Sequence, residues 1–295
     1  MPSAPSPRQY CRILPAWVAA AVIAAAATGA LAQPAEPVSG RELLHDGGVA
    51  IDVLVDGTGP AIVLLPSSQR DSLDFDVVSR QIARAGYRVL RPQPRGMGRS
   101  RGPMEGLNLS VLARDVVLAI DRLGGGRAVI VGHAYGHFVA RVADLEHPPR
   151  VRGLVVVGAA AKVFPQGMVE SLAIAADPGK PREERLKQLQ FSMFAPGNDA
   201  SSWLDGWHPE LRDAYRRAGA TPSKDVWWPV SNAPILDLQG AEDPWRPPAT
   251  RNELKDILGD KVTVQVIPRA GHALIPEQPS AVSEAIVGWV RTLQP

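Results

Sequence analysis

The sequence contains a single cysteine, Cys11, among its 295 residues. It therefore forms no intramolecular disulfide, and a zinc site built from several cysteines is excluded. Charge of one sign is not in excess either, since 32 basic residues face 30 acidic ones and leave a formal net charge of +2. This balance gives no electrostatic footprint for nucleic acid, so we expect no nucleic-acid partner. The chain is otherwise 45% hydrophobic and 21% charged, which is typical of a folded globular protein.

Only one stretch of the chain is strongly apolar over a long run, and it lies near the N-terminus. Residues 13–27 follow two arginines, and Ala-Leu-Ala at 30–32 then fits the small-x-small pattern of a signal-peptide cleavage site. We predict that residues 1–32 are a signal peptide cleaved near Ala32, and that the protein is exported, either periplasmic or secreted. The alternative is an uncleaved anchor, which the shortness of the run disfavours. No later run is long enough to span a bilayer, so we expect no membrane partner after cleavage.

After a short lead at residues 33–48, β-branched runs alternate with helical stretches along one domain at 49–295. Runs typical of strands lie at 49–55, 61–65, 87–90, 128–131, 151–157, 235–238 and 262–267. Helical patterns, the second of them with Ser110 as its predicted N-cap, cover 75–85, 109–123, 135–146 and 281–293. This alternation predicts an α/β fold, with a mainly parallel sheet covered by helices on both faces.

Residues 160–230 interrupt the alternation. They are helical or irregular in pattern, and they hold four of the seven tryptophans, namely Trp203, Trp207, Trp227 and Trp228. An aromatic insertion between two halves of a sheet resembles a lid, so these tryptophans are candidates to cover an apolar small-molecule substrate. The alternative is a satellite layer of helices with its own small core.

A strand, a tight turn and a helix start follow one another at residues 129–137, which read Val-Ile-Val-Gly-His-Ala-Tyr-Gly-His. Gly132 and Gly136 occupy the glycine positions of a G-x-S-x-G nucleophile elbow, where they let strand and helix approach closely. The central residue, whose side chain such a turn points into a site, is Ala134. Because a methyl group cannot attack a carbonyl, the turn is present and the nucleophile is absent.

Two further motifs follow in chain order. Asp243 lies in Gly-Ala-Glu-Asp-Pro after the strand pattern at 235–238, and His272 lies in Ala-Gly-His after the pattern at 262–267. Elbow, acid and histidine is the order of an α/β hydrolase, and each group follows a strand, where open α/β sheets place their sites. The alternatives are a turn or N-cap residue for Asp243 and a surface histidine for His272.

Together with the loop Arg-Pro-Gln-Pro-Arg-Gly-Met-Gly-Arg-Ser at 91–100, these motifs resemble the α/β-hydrolase family in its lidded, single-domain form. The resemblance implies a mainly parallel sheet of the eight-stranded type with a helical lid insertion. It implies that Asp243 orients His272 and that His272 is a general base. It also implies an oxyanion hole formed by the backbone N–H groups of Tyr135 and Ser68.

The sequence departs from the family in the oxyanion loop, where Pro66 and Ser67 replace the usual His-Gly. We therefore expect a reshaped oxyanion hole. Beside the elbow, His133 is expected to pack beneath the turn, whereas His137 either faces the site or is buried. These two histidines are four residues apart, but they straddle a turn and lack an obvious third ligand, so we expect no metal and no cofactor.

We take Ala134 as the natural residue rather than a serine replaced in the laboratory, because the chain still carries the predicted signal peptide. Three hypotheses remain. In the first, His272 activates a water that hydrolyses a small apolar ester or lactone. In the second, Ser67 or Ser68 acts as a substitute nucleophile. In the third, the protein is a non-catalytic binding protein for a small apolar ligand; the sequence indicates neither the substrate's identity nor an oligomeric state.

Overall fold

The computed structural model describes residues 1–4 and 39–294. Contacts divide the chain into Met1–Ala35 and Glu36–Pro295, and all the helices and strands given below belong to the second unit. The apolar run and the cleavage pattern of the predicted signal peptide lie outside the described residues, so export stays a prediction. Within the described ranges, no helix has both the length and the apolar character that crossing a membrane requires.

One sheet of eight strands lies at the centre of the described chain. The strands are β1 Ser39–Asp46, β2 Val49–Asp56, β3 Ala61–Leu65, β4 Arg88–Pro92, β5 Ala128–His133, β6 Val151–Val157, β7 Ile235–Gly240 and β8 Val262–Ile267. The α-helices are α1 Asp76–Arg84, α2 Leu109–Leu123, α3 Gly136–Glu146, α4 Met168–Ala176, α5 Arg182–Ser192, α6 Arg212–Ala218, α7 Lys224–Trp227, α8 Glu253–Leu258, α9 Leu274–Glu277 and α10 Pro279–Val290.

The strands lie in the order β1-β2-β4-β3-β5-β6-β7-β8. Strand β2 runs antiparallel to β1 and β4, and every other neighbouring pair is parallel. The central strands β3 and β5 are buried along their whole length, which explains their continuous apolar sequences. The mainly parallel sheet predicted from the sequence is therefore confirmed.

Two apolar layers cover the two faces of this sheet. Alternate residues of β5 point to opposite faces, so that Ile130 packs in the layer of α2 and α3 while Val131 packs in the layer of α1 and α10. Both side chains are fully buried. The helices thus fix β5 from both sides, and the turn at its carboxyl end is held rigidly.

Two predictions for the N-terminal half are wrong. Strand β1 lies inside the segment predicted as a lead. The sequence does not reveal it, because its side chains are largely exposed and lack the alternating pattern of a half-buried strand. It pairs with β2 across a turn in which Gly47 has a φ of 55°. The N-cap of α2 is Asn108 rather than Ser110, since the Asn108 side chain accepts a hydrogen bond of 2.9 Å from the backbone N–H of Val111.

The insertion between β6 and β7 carries α4 to α7. It has an apolar core of its own, in which Leu189, Met193, Trp203 and Leu204 are buried. The alternative of a helical layer with its own core therefore describes part of the insertion. The same segment also lines the cavity described below, so it positions the site as well.

Candidate active site

The turn between β5 and α3 has the geometry of a nucleophile elbow. Ala134 has a φ of 45°, in the left-handed region that non-glycine residues rarely adopt. A side-chain carbon on Gly132 would lie 2.5 Å from the backbone of Gly136, and one on Gly136 would lie 2.5 Å from the carbonyl oxygen of Leu65. Only glycine permits these approaches, so the predicted elbow is formed, with a methyl group at its apex.

Ala134, Asp243 and His272 follow the carboxyl ends of β5, β7 and β8, at one edge of the sheet. The Nδ1 atom of His272 lies 3.0 Å from Oδ2 and 3.2 Å from Oδ1 of Asp243, so the predicted hydrogen bond is confirmed. Both side chains are buried. Because an ionised carboxylate only accepts, Nδ1 carries the proton and Nε2 keeps a free lone pair.

Two aromatic side chains hold His272, Trp245 at its imidazole ring and His133 at its backbone carbonyl. Trp245 stacks on it at 5.1 Å between ring centroids, and the Trp245 indole N–H donates to the carbonyl of Ser192 at 2.7 Å. From below, the His133 Nε2–H donates to the carbonyl of His272 at 2.8 Å. Burial, with a smaller contribution from His272, lowers the pKa of His133 to about 3, so this ring stays neutral at ordinary pH. His133 thus lies beneath the elbow as expected.

The loop after β3 supplies the second side of the site. The backbone N–H groups of Ser68 and Tyr135 donate to no acceptor within residues 39–294, so both are free for a ligand. Gln69 follows with a φ of 59°, and its buried side-chain oxygen has no hydrogen-bond partner among the described residues. Ser67 lines the same space, and its role as a substitute nucleophile stays a prediction.

These groups surround one cavity of about 310 Å³. Ala134, Tyr135, Ser67, Ser68 and His272 all line it, as do residues of the insertion. The apolar part of its wall consists of Phe138, Ala160, Phe164, Val169, Leu172, Ala173, Met193 and Trp245. The structure therefore brings the sequence-predicted groups of the elbow, the oxyanion loop and the histidine together around one cavity.

His137 combines the two alternatives left open by the sequence, because it is buried and also lines this cavity. Neither of its ring nitrogens has a hydrogen-bond partner among the described residues. The ring is surrounded by the edges of Phe138, Trp227 and Trp228. Burial lowers its pKa well below the ordinary value, with Arg141 as the next contributor, so His137 is a neutral polar group in an apolar wall.

The prediction for the tryptophans is wrong, since none of the four lines the cavity: Trp203, Trp207, Trp227 and Trp228. The last two are fully buried against α3, and the first two lie against the guanidinium of Arg70. Composition cannot separate a core tryptophan from one that covers a ligand. The tryptophan that does line the cavity is Trp245, which lies two residues after Asp243 in the acid motif.

The part of the chain that the structure describes contains no cluster of side chains suited to bind a metal ion. No group of three or more His, Cys, Asp or Glu side chains there is placed to hold a metal ion. The two histidines with ligand spacing have separate surroundings, since the Nε2–H of His133 is used by the His272 carbonyl while His137 faces the cavity.

Known proteins resemble this chain in sequence and in fold. The model of the Alpha/beta hydrolase family matches residues 62–285. Bifunctional epoxide hydrolase 2 of Sus scrofa is 32% identical over 109 residues, which is 36% of this chain and 20% of that protein. Epoxide hydrolase A of Mycobacterium tuberculosis is 23% identical over 315 residues, which covers 86% of this chain and 98% of that protein.

Among solved structures, an esterase from Exiguobacterium antarcticum superposes with a TM-score of 0.69 at 21% identity, covering 83% of this chain and 96% of the esterase. At that identity the likeness shows the fold. The chain spans between 13% and 56% of the length of three curated relatives that it matches. The family match, the sheet and the elbow together show that this chain belongs to the α/β-hydrolase family, a family of hydrolases.

Proposed function

We propose that the protein hydrolyses a small ester or lactone with a water molecule that His272 activates, without a covalent intermediate at the elbow. The observation that carries the proposal is the state of the His272 ring. Asp243 holds its protonated Nδ1 at 3.0 Å, while Nε2 makes no hydrogen bond within the described chain and the ring lines the cavity beside Ala134. A histidine held in this way can act as a general base, because its free Nε2 can accept a proton from a water molecule in the cavity.

The proposed reaction has two steps. In the first, Nε2 of His272 takes a proton from water, and the water oxygen bonds to the substrate carbonyl carbon. The carbonyl oxygen becomes an oxyanion, which the free N–H groups of Tyr135 and Ser68 stabilise. In the second step the carbon–oxygen bond to the leaving alcohol breaks, and the imidazolium returns its proton to that oxygen. The products are a carboxylic acid and an alcohol, or a hydroxy acid when the substrate is a lactone.

The choice of substrate follows from what the site lacks. Without a nucleophile at residue 134, most of the acceleration of a triad is absent, and a residual rate from the oxyanion hole and binding remains. An activated ester or a strained lactone tolerates this loss best. The largely apolar wall favours a small apolar body, and the relatives named as epoxide hydrolases and the esterase of similar fold support hydrolysis of small molecules.

Pre-steady-state kinetics test the absence of a covalent intermediate. We expect a panel of nitrophenyl esters and lactones to include substrates that turn over without a burst of product, and intact-mass spectra during turnover to show no adduct. Ser67→Ala and Ser68→Ala should retain the rate, because the proposal uses no serine as nucleophile. A burst with an acyl adduct on Ser67 would instead establish the substitute nucleophile.

A non-catalytic binding protein is the second candidate, and the methyl group at the elbow favours it. This candidate keeps the cavity and uses His272 only as part of its wall. It is the correct description if no ester, lactone or amide of the panel turns over while an apolar ligand binds equally well to the native protein and to His272→Ala.

We also infer that the protein is exported after cleavage near Ala32. The support is the N-terminal pattern of cations, apolar run and small residues. Mass spectrometry of the protein recovered from its native host should find Gln33 as the first residue. A mature chain that still contains Cys11 would show that this segment is retained.

A further inference from the structure

Three cations line the cavity, and no aspartate or glutamate among the described residues does so. The cations are Arg212 and Arg216 of α6 and Lys224, the first residue of α7. The only other ionisable groups with basic character in the wall are the two histidines, of which His137 is neutral. The lining is therefore electrostatically one-sided, although the whole chain is nearly balanced in charge.

Lys224 is the most enclosed of the three cations. Its ammonium group lies 4.0 Å from the ring centre of Phe164 and 5.0 Å from that of Phe138, and it donates to the carbonyl of Lys162 at 3.0 Å. No carboxylate of the described residues forms an ion pair with it. Ring faces and one carbonyl compensate part of its lost hydration, and Glu253 attracts the ammonium without forming an ion pair. Because partly buried charges are ordinarily paired, the ammonium can still take a carboxylate from a ligand.

The two arginines extend the positive charge to the exposed mouth of the cavity. Arg216 has Asp213 at 3.5 Å, but both side chains are mostly exposed, and such surface pairs hold little energy. Arg212 has no ion-pair partner among the described residues. Neither arginine therefore forms a strong ion pair among the described residues, and both can pair with a ligand.

The remainder of the wall restricts what the ligand is. Phe138, Phe164, Leu172, Met193 and Trp245 give most of the cavity an apolar surface. A ligand that satisfies both parts has an apolar body and a negative charge at one end. A carboxylate has a charge and a size that suit an ammonium or a guanidinium group.

We propose that the natural substrate carries a free carboxylate, which pairs with Lys224, Arg212 and Arg216 while its ester or lactone group faces Ala134 and His272. The inference rests on the proposed function only in taking this cavity as the substrate site. It concerns binding, so it is tested without turnover, and a failure of hydrolysis leaves its test unchanged.

The test compares two probes of equal shape, 4-phenylbutyrate and 4-phenylbutyramide, by isothermal titration calorimetry on the native protein at about pH 7. We expect the acid to bind at least about tenfold more tightly than the amide, because hydrogen bonds to charged groups are the stronger ones. This preference should decrease as salt is added. Equal affinity for the two probes, or no binding of the acid, would overturn the proposal.

Variants test whether the preference for the acid over the amide comes from the cations of the cavity. Lys224→Met keeps the stem of the side chain and removes the charge, so the acid should lose most of its advantage while affinity for the amide stays unchanged. The matched control is Lys187→Met, because Lys187 is exposed on α5 and does not line the cavity. An unchanged preference in the triple variant Lys224→Met, Arg212→Gln and Arg216→Gln would also overturn the proposal.

The preference should also depend on pH in the native protein. Burial lowers the pKa of Lys224 to about 8; the Glu253 anion raises it and the Lys162 cation lowers it further, but burial outweighs both. Of the other groups nearby, Asp225 pairs with Lys162, and His137 is neutral. Raising the pH through about 8 therefore removes the Lys224 charge while the arginines keep theirs. The acid's advantage should fall over that range, and an increase would contradict the assignment.

Discussion

Ala134 has the backbone conformation of a nucleophile elbow but lacks the side-chain hydroxyl that acts as the nucleophile in such a turn. Its φ of 45° is unfavourable for alanine, and the surrounding glycines hold it there. The acid and the histidine beside it keep their hydrogen bond at 3.0 Å. The site therefore retains the candidate base and its orienting group, which is what the proposed hydrolysis by water requires.

Restoring the missing hydroxyl tests how complete the rest of the site is. In Ala134→Ser, the hydroxyl should lie at the apex beside His272, because the elbow already holds the required backbone. We expect kcat/KM for simple nitrophenyl esters to rise by about 10² and a burst phase to appear, measured by stopped-flow absorbance.

The matched control for this change is Ala134→Gly. It relieves the left-handed strain without adding a nucleophile, so it should leave the esterase rate unchanged while slightly raising the free energy of unfolding. If Ala134→Ser behaves like the glycine variant, the loop at Pro66 and Ser67 leaves no functional oxyanion hole for these esters.

At the scale of single elements, one carboxylate joins the first two strands to the loop after β4. Asp52 of β2 accepts hydrogen bonds from the Arg41 side chain of β1 at 2.8 Å and from the backbone N–H of Arg99 at 2.8 Å. Burial by itself would raise the pKa of Asp52, but hydrogen bonds from Arg41 and Arg99 outweigh it and lower the pKa to about 2. This edge of the sheet is therefore held by an ionised group.

The stability of that edge should depend on pH in the acid range. Because the folded pKa of Asp52 lies below its ordinary value of 3.8, its contribution is present above about pH 4 and is lost as the pH falls towards about 2. Urea unfolding across this range should show the free energy of unfolding falling less steeply in Asp52→Asn than in the native protein. Parallel curves for the two proteins would show that the Asp52 charge contributes nothing.

Sequence patterns predict the elements whose burial is regular. Strands β3 and β5 are enclosed on both faces, so continuous apolar runs reveal them, and the elbow could be located because it follows β5. The motifs of Asp243 and His272 are found by their chain order after β7 and β8, although β8 is largely exposed. The exposed β1 carries no such pattern. Lys224 could not be identified as a cavity residue either, because its position over Phe164 depends on how the insertion folds onto α3.

Across the whole molecule, the insertion is anchored to the sheet domain by its tryptophans. Trp227 and Trp228 are fully buried in the core that α3 shares with the sheet. Their placement explains why an aromatic-rich segment between β6 and β7 does not by itself identify the side chains that meet a ligand. These indoles hold the insertion in place, and smaller side chains of the same segment line the cavity.

If Trp227 is a core residue, its removal should lower the stability of the fold. If it covered the ligand, its removal should instead weaken ligand binding. Trp227→Ala should lower the free energy of unfolding by about 3–5 kcal/mol, as truncation of a buried aromatic does, measured by urea denaturation. Trp207→Ala is the comparison, and it should cost less because Trp207 is only partly buried. A Trp227→Ala protein of native stability that has lost ligand affinity would contradict the assignment and restore the role of a lid tryptophan.

The central claim is that a water activated by His272 does the chemistry of this molecule. The most direct test is the rate of hydrolysis of the best ester or lactone by the native protein and by His272→Ala, purified in parallel so that a contaminating esterase would appear in both. The expected result is a loss of about 10²–10⁴ in kcat, the range of a general base, with binding of 4-phenylbutyrate preserved. Equal rates in the two proteins would contradict the claim, since the observed hydrolysis would not depend on the base.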